Sequence, residues 1–481
     1  MNKLARNYLY NTAYQIFLII VPLITAPYLT RVFSSETLGI YGYVNSIVSV
    51  LTTFGLLGLQ SYGYRQIAYD RDDPESLNKS FSSIYELRLI LLLIISVFYI
   101  PLVLLSDYKF YFLIQYALIV AQYIDISWLF IGLEELKIVS FRNFLAKFLT
   151  VIGIFIFVKN DNDLGIYFAL FAIITLITAI SVYPTAKKYV TFSIQKLRVV
   201  GFHILPAIKL FVPQIATILY LQFDKVMLKT ITGSAAHVAY YDYAEKIINI
   251  PLAVITALST VMMPRFANLH AQGNEAQLNI YLERVIGFAL FLGTPMMFGM
   301  ATIAEDFIPW YLGAEYTATS IAIIILCPVC IITALSNVLG AQYLSAINKT
   351  GVLSFAYYGA AAINIIGNAL MIPKYGSGGA AMATTLCLLF SFGVQFLYVR
   401  RRVSFASLKK EAVKILFSGV MMFVVVRFVS SMLTPAPIST IVEILLGVVI
   451  YFFASLVLKV EMLDFIINKG KRVICRRVQK K

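Results

Sequence analysis

The residues best able to do chemistry are a few charged side chains set in long apolar stretches. The cations are Arg31, Arg88, Lys225, Lys229, Lys246 and Arg427; the anions are Asp125, Asp224, Glu245 and Glu443. At membrane depth an ionisable group is costly, so it faces a cavity or a partner. Arginine matches planar oxyanions bidentately and lysine offers a point charge, which suits phosphate. A buried carboxyl can take up and release a proton. Each residue also has a plainer reading. Arg88 and Arg427 lie near span ends, where snorkelling accounts for them. Arg31 reads equally as an interfacial anchor, and Glu443 as a structural partner. Between Pro213 and Lys229, Gln214, Thr217 and Tyr220 fall near one helical face, Asp224 continues it, and Lys225 lies about 100° further round. We read Asp224 as facing a polar cavity. Asp125, within Gln122-Tyr-Ile-Asp-Ile-Ser-Trp128, reads equally as a proton-coupling group or a packing carboxyl.

Metal or redox chemistry finds little here. His203, His237 and His270 are scattered, and no ligand cluster is expected. Cys327 and Cys330 form a C-x-x-C inside an apolar run with no accompanying zinc pair, so they read as packing thiols. No cofactor is expected beyond a coupling H+ or Na+, and no cleavable leader is expected, because the first apolar run is long and lacks a small-residue cleavage site.

The elements that must position these groups are membrane helices. Of 481 residues 60% are hydrophobic and 13% charged, with a mean hydropathy of +0.82. A soluble domain carries about 25% charged residues, so an ordinary cytosolic enzyme, a disordered chain and a small secreted scaffold are all excluded. Windows of about 20 apolar residues, the length that crosses a bilayer, give fourteen spans. They lie near 9–29, 38–58, 84–105, 110–131, 138–158, 164–183, 207–230, 243–264, 282–304, 319–341, 352–372, 379–398, 411–430 and 439–458. With the N-terminus inside, the outer segments hold only Arg31, Lys109, Lys159 and Lys374, and most other basic residues fall inside. That bias predicts cytoplasmic termini. It also accounts for most of the +15 net charge without nucleic acid, and the basic tail reads as touching anionic lipid headgroups.

A duplication is visible within the chain. Ile40-Tyr-Gly-Tyr-Val-Asn-Ser-Ile47 aligns without gaps with Tyr240-Tyr-Asp-Tyr-Ala-Glu-Lys-Ile247, and in the same register Arg65 falls on Arg265. Ile84-Tyr-Glu-Leu-Arg-Leu-Ile90 matches Ile280-Tyr-Leu-Glu-Arg-Val-Ile286, placing Arg88 on Arg284. An even number of spans separates the copies, so the repeats are expected to be parallel. The expected domains are a six-helix lobe over 1–184, a cytoplasmic linker over 185–206, a second six-helix lobe over 207–400, two extra helices over 401–458, and a basic tail over 459–481. Two repeated lobes suit rocking about a central site better than a channel, for which no repeated filter loop exists. Pro22 and Pro27 in the first span, with Pro213, Pro251 and Pro295 in the second half, are candidate helix breaks. The tyrosine-rich first spans suit either interfacial anchoring or sugar stacking.

Several segments are similar to a known family. Asn11-Thr-Ala-Tyr-Gln15, Val21-Pro-Leu-Ile-Thr-Ala-Pro-Tyr-Leu-Thr-Arg31, Gly39-Ile-Tyr-Gly-Tyr43 and Tyr62-Gly-Tyr-Arg-Gln-Ile-Ala68 resemble Wzx-type polysaccharide flippases. Trp128-Leu-Phe-Ile-Gly-Leu-Glu-Glu-Leu-Lys137, Phe223-Asp-Lys-Val-Met-Leu228 and Val261-Met-Met-Pro-Arg265 extend the likeness, with Leu129 and Ile131 departing from the usual pattern. The resemblance implies the multidrug/oligosaccharidyl-lipid/polysaccharide exporter superfamily: an all-α integral membrane protein with two parallel six-helix lobes around a central cavity and two extra C-terminal helices. Its implied task is carrying an undecaprenyl-diphosphate-linked oligosaccharide between leaflets of the bacterial cytoplasmic membrane. The implied diphosphate and glycan contacts are Arg31, Arg88, Lys225, Lys229, Lys246, Gln214 and Tyr220, with Asp125 and Asp224 as coupling carboxyls. Membrane lipids and other polysaccharide-assembly membrane proteins are the implied partners, and a monomer is expected. A teichoic-acid or peptidoglycan-lipid flippase and a drug or metabolite antiporter remain open alternatives. A polymerase or ligase fits poorly, because the outer loops are short.

Overall fold

The computed structural model describes residues 3–259 and 262–465. The described residues are helical throughout, without a strand. In chain order the helices are α1 (Lys3–Val32), α2 (Ser35–Gly55), α3 (Leu59–Asp70), α4 (Pro74–Leu105), α5 (Lys109–Ile124), α6 (Ser127–Gly132), α7 (Leu136–Phe157), α8 (Leu164–Ile180), α9 (Tyr183–Ala186) and α10 (Leu197–Phe202). They continue as α11 (Ile204–Thr232), α12 (Ala236–Ser259), α13 (Met263–Ala271), α14 (Glu275–Tyr311), α15 (Ala318–Leu326), α16 (Val329–Ser336), α17 (Thr350–Tyr375), α18 (Ser377–Val399), α19 (Ala406–Ser430) and α20 (Pro437–Val457). Eleven spans are long and apolar enough to cross a membrane among the described residues. The expected first, seventh and eighth spans fall on α1, α11 and α12, helices of 30, 29 and 24 residues.

Local sequence sets the helix starts. Ser34 caps α2, its hydroxyl accepting from the Thr37 amide at 3.2 Å. Asp73 caps α4, with Pro74 in the first turn, and Asn274 caps α14; each satisfies an amide that would otherwise lack a partner. Hydrogen bonds to Ser76 and the Glu75 amide hold the Asp73 carboxyl below its ordinary range. Contrary to the proline-based expectation, α1 runs continuously through Pro22 and Pro27. One span is interrupted instead between α5 and α6, at Asp125–Ile126, where no proline stands, and another between α15 and α16, at Cys327–Pro328.

The chain forms two compact units, Met1–Ala239 and Tyr240–Lys481. In the first, Trp128 is fully buried and stacks on Phe81 at 5.5 Å, beside Tyr62 and Ile67. The stretch after α9 is strapped to α4. The amides of Thr191, Ser193 and Gln195 donate to Asn78 Oδ1 (2.7 Å), Ser82 Oγ (3.0 Å) and Glu86 Oε1 (2.8 Å). Alternate amides of an extended chain recur every ~6.6 Å, and every fourth residue of a helix every ~6 Å, so the two ladders match. At the end of this strap His203 is buried, bonded through Nδ1 to Tyr62 Oη (2.8 Å) and through Nε2 to Ser83 Oγ (2.7 Å). Burial pushes the imidazole pKa below its ordinary value.

In the second unit α13, α14, α16 and α19 share a core that includes Leu278, Leu282, Ile286 and Leu335. The two C-terminal helices dock on α14: Tyr451 Oη donates to the Phe291 carbonyl at 2.8 Å, and Trp310 Nε1 to Thr440 at 3.0 Å. Cys327, Cys330 and Cys387 are buried free thiols.

Candidate functional site

The first unit contains a cavity of about 360 Å3 lined by neutral polar side chains together with apolar ones, Leu56, Leu118 and Phe211. Asn45, Ser49 and Thr53 recur every four residues along α2 and so share one face. Gln60 and Ser61 enter from α3, Gln122 from α5, and Phe211 supplies an apolar wall from α11. The Thr53 hydroxyl donates to the Ser49 carbonyl at 2.7 Å, which satisfies its hydrogen within the helix and leaves its lone pairs open. Thr53 can then only accept from a ligand, whereas side-chain amides such as Asn45 and Gln122 can both give and accept hydrogen bonds.

Arg88 organises this wall from behind. It is fully buried. Its Nε donates to the Tyr123 carbonyl at 2.9 Å, its Nη2 to the Gln122 carbonyl, and its Nη1 to Gln60 Oε1 at 3.2 Å. Gln122 and Tyr123 lie in the last turn of α5, whose carbonyls have no amide to meet once the helix stops. Tyr183 takes the next one, donating to the Ile124 carbonyl at 2.6 Å. A cation at a helix C-terminus is also favoured by the helix dipole. Arg88 therefore caps a helix that ends part-way along an apolar span, and it holds the Gln60 amide and the Gln122 backbone.

Beyond the break, Asp125 accepts from Arg142 Nη1 at 2.8 Å and from Ser127. Arg142 also reaches the Thr178 carbonyl at 3.3 Å. This ion pair ties the break to α7, with side chains 12% and 19% exposed for Arg142 and Asp125. The following turn packs inward: Trp128, Leu129 and Phe130 are all buried.

A second constellation pins α2 to the α11–α12 turn. Glu36 accepts from the amides of Ala235 and Ala236 and from the Ser234 hydroxyl, each at 2.8 Å, and lies 3.6 Å from Lys229 Nζ. Its carboxylate thus acts as a remote N-cap for α12. The helices meet so closely that a Cβ on Gly39 would lie 1.8 Å from the Ala235 carbonyl oxygen, so only glycine fits.

The other sequence-derived candidates are dispersed. Arg31 is exposed and donates to the Pro27 carbonyl. Lys229 donates to the Gly233 carbonyl at 2.6 Å as well as pairing with Glu36. Asp224 is fully buried and Lys225 is 8% exposed, both on α11. In the second unit Lys246 pairs with Asp242 at 2.6 Å and lies over the Tyr243 ring. The side chains of Gln214 and Tyr220, and the tail from 466 onward, lie outside the described residues. The duplicated Arg65 and Arg265 each sit over a tyrosine ring, Tyr69 and Tyr281, whereas Arg88 is buried and its counterpart Arg284 exposed. Sequence reading missed Glu36 and the Asn45–Ser49–Thr53 stripe. The four-residue spacing of polar groups in an apolar span was the available signal.

Residues 4–270 match the family model described as polysaccharide biosynthesis protein. The chain belongs to that family. It is 27% identical over 371 residues to a putative O-antigen transporter of Shigella dysenteriae, covering 75% of this chain and 91% of that protein. It is 23% identical to a putative O-antigen transporter of Escherichia coli K12, covering 82% and 97%. Among solved structures, the lipid II flippase MurJ in an inward closed conformation superposes with a TM-score of 0.67 at 18% identity, over 93% of this chain and 98% of that one. An inward-facing multidrug resistance MATE transporter gives 0.61 at 16% identity, over 84% and 96%. The fold is thus the one shared by these MurJ and MATE structures.

Proposed function

We propose that this family member is a flippase that carries undecaprenyl-diphosphate-linked oligosaccharide units from the inner to the outer leaflet of the bacterial cytoplasmic membrane by alternating access. The observation that carries the reading is the neutral amide- and hydroxyl-lined cavity beside a helix that ends within the membrane. Sugar hydroxyls need partners that both donate and accept, and a diphosphate-sugar headgroup cannot enter hydrocarbon unaided. The names of the relatives, O-antigen transporters, support the same substrate class.

In this reading the glycan meets Asn45, Gln60 and Gln122, and Arg88 acts as a positioning residue, because its guanidinium is engaged by Tyr123, Gln122 and Gln60. Lys225, with Lys229 and Arg31 of the same unit, offers positive charge to the diphosphate. The prenyl tail stays in lipid. The Glu36 clasp holds one end of the first unit shut and opens when the headgroup leaves there. Asp125 and Asp224 are the coupling carboxyls, for H+ or Na+; protonating Asp125 would release Arg142. Both termini are cytoplasmic.

The test is headgroup translocation in proteoliposomes with labelled undecaprenyl-diphosphate oligosaccharide. Protein-dependent flipping that falls about tenfold or more in Gln122→Ala and Lys225→Ala, the loss of one charged or two neutral hydrogen bonds, is expected. No flipping with any lipid-linked glycan, together with efflux of a soluble organic cation, would replace this reading with an antiporter.

A further inference from the structure

A polar cluster that the transport reading does not use lies in the second unit, at the ends of α14, α19 and α20 assigned to the outside by the charge bias. Glu443 on α20 is 1% exposed, and its Oε2 has no hydrogen-bond partner. The Ser430 hydroxyl of α19, 3% exposed, reaches the Glu443 carboxyl and donates to Asp306 of α14. Arg427, the cation near this cluster among the described residues, pairs with Glu305 and reaches the Thr302 carbonyl at 3.4 Å. Asp306, Arg427 and Ser430 line an open pocket of about 440 Å3.

The hydrogen count is short. Ser430 has a single hydrogen and two carboxyl groups beside it, while an ionised carboxylate offers about four acceptor sites. Among the described residues, Glu305, Asp306 and Glu443 all ionised would face a single guanidinium, that of Arg427. Burying an ionised carboxyl without donors costs far more than burying a neutral one, and the group then keeps its proton. With a proton on the Glu443 oxygen that faces Ser430, the chain closes: Glu443 donates to Ser430 Oγ, and Ser430 donates to ionised Asp306. Every hydrogen then has an acceptor, and the unpartnered Oε2 is a neutral carbonyl oxygen.

We propose that Glu443, Ser430 and Asp306 form a proton-holding site, separate from the cavity of the first unit, in which Glu443 is the protonated member at neutral pH. Release follows the same chain. The Glu443 proton passes to Ser430 Oγ as the Ser430 hydrogen moves to Asp306, and Asp306 delivers it to water in the pocket. The site joins α14 to the two C-terminal helices, so its protonation state changes how strongly those helices are held together.

The test is infrared difference spectroscopy of the full chain in lipid nanodiscs with isotope-labelled glutamate. A protonated-glutamate C=O band persisting at about pH 7, well above the ordinary glutamate pKa of about 4.3, and absent in Glu443→Gln, is expected. In Asp306→Asn, removal of the neighbouring negative charge lowers the pH at which the band disappears, a loss of proton affinity of at least about threefold. Ser430→Ala keeps the band but shifts its frequency, because the hydroxyl acceptor is gone. Absence of a Glu443-dependent band at neutral pH overturns the proposal. So does saturable Na+ binding that needs Glu443 and Asp306 and abolishes the band at physiological sodium. Should Glu443→Gln fail to fold, the Asp306→Asn shift decides, and an unmoved midpoint there refutes the site. None of these readouts requires the glycan substrate, so they stand or fall apart from the flippase reading.

Discussion

The contact between Gly39 and Ala235 gives the sharpest prediction. A methyl group on Gly39 would lie 1.8 Å from the Ala235 carbonyl oxygen and 2.3 Å from its carbon. That is about 1.5–2 Å short of normal contact. Both opposing atoms are backbone, so no rotamer change relieves the clash, and α2 must move away from the turn before α12. Overpacking of this kind costs about 1–3 kcal/mol. Movement also lengthens the three 2.8 Å hydrogen bonds that Glu36 makes to the same turn. Gly42 provides the control, because its added Cβ would meet only the Val238 Cγ1 at 3.0 Å, the end of a side chain.

The measurement is the rate at which a bulky maleimide labels Ala239→Cys in a Cys475→Ser background. Ala239 is 1% exposed, and Cys327, Cys330 and Cys387 are buried. A 1–3 kcal/mol penalty on the closed clasp raises the open population, and so the labelling rate, by about 5- to 150-fold in Gly39→Ala. Gly42→Ala should change it by less than about fivefold. If Gly39→Ala labels at the wild-type rate and melts at the wild-type temperature, the two helices do not approach as closely as the geometry requires, and the clasp argument fails. Equal effects of the two substitutions would refute it as well, since they would show a general loosening rather than a backbone collision.

Arg88→Lys should destabilise the protein by about 2–4 kcal/mol in detergent melts, because one ammonium cannot reproduce a fork to Tyr123, Gln122 and Gln60; a loss under about 1 kcal/mol would show that the helix end is capped otherwise. His203 titrates below its ordinary pKa when folded, so as pH falls through about 6.5 the unfolded chain binds the proton first and stability drops. His203→Gln should remove on the order of 1 kcal/mol of that drop between about pH 8 and pH 5.5, leaving stability above pH 7 the less affected; equal acid sensitivity in both proteins would exclude His203 as its source. Replacing Asn78, Ser82 and Glu86 together by alanine removes the acceptors of the strap amides. Protease cleavage within 191–195 should then rise by about tenfold or more, and unchanged cleavage would show that the strap is held by other contacts.

The apolar spans were legible because lipid leaves a helix few ways to vary: the run length and the exclusion of charge record the bilayer directly. The expected spans 352–372 and 379–398 fall within α17 and α18. The break at Asp125 was not legible, because nothing local makes it. No proline or glycine stands there, and the freed carbonyls are met by Arg88 and Tyr183, more than thirty residues away in sequence. Pro22 and Pro27 misled in the opposite sense, since membrane helices tolerate proline where neighbours meet the freed groups. Glu36 sat at a span edge, where a carboxylate looks solvated, and only the approach of the α11–α12 turn gives it a role. The cavity escaped notice because asparagine, serine and threonine are individually ordinary in such helices.

How the positive charge is distributed constrains how a headgroup could be handled. Arg88 is fixed by carbonyls, Arg142 by Asp125, Lys229 by Glu36 and Gly233, and Lys246 by Asp242. A site built for tight diphosphate binding would hold its cations uncompensated, and a ligand bound that firmly would leave slowly. Here the first-unit cavity offers neutral amides and hydroxyls, each worth about 1 kcal/mol net, while Arg88, Arg142 and Lys229 of the same unit already have acceptors that a phosphate would have to displace. In the proposed flippase reading, binding involves exchange of partners rather than capture. That exchange can itself supply the switch: a headgroup that draws Lys229 from Glu36 weakens the clasp holding α2 to the turn before α12. In the proposed transport cycle, recognition and opening become one event, which is what a carrier needs if it must release what it binds.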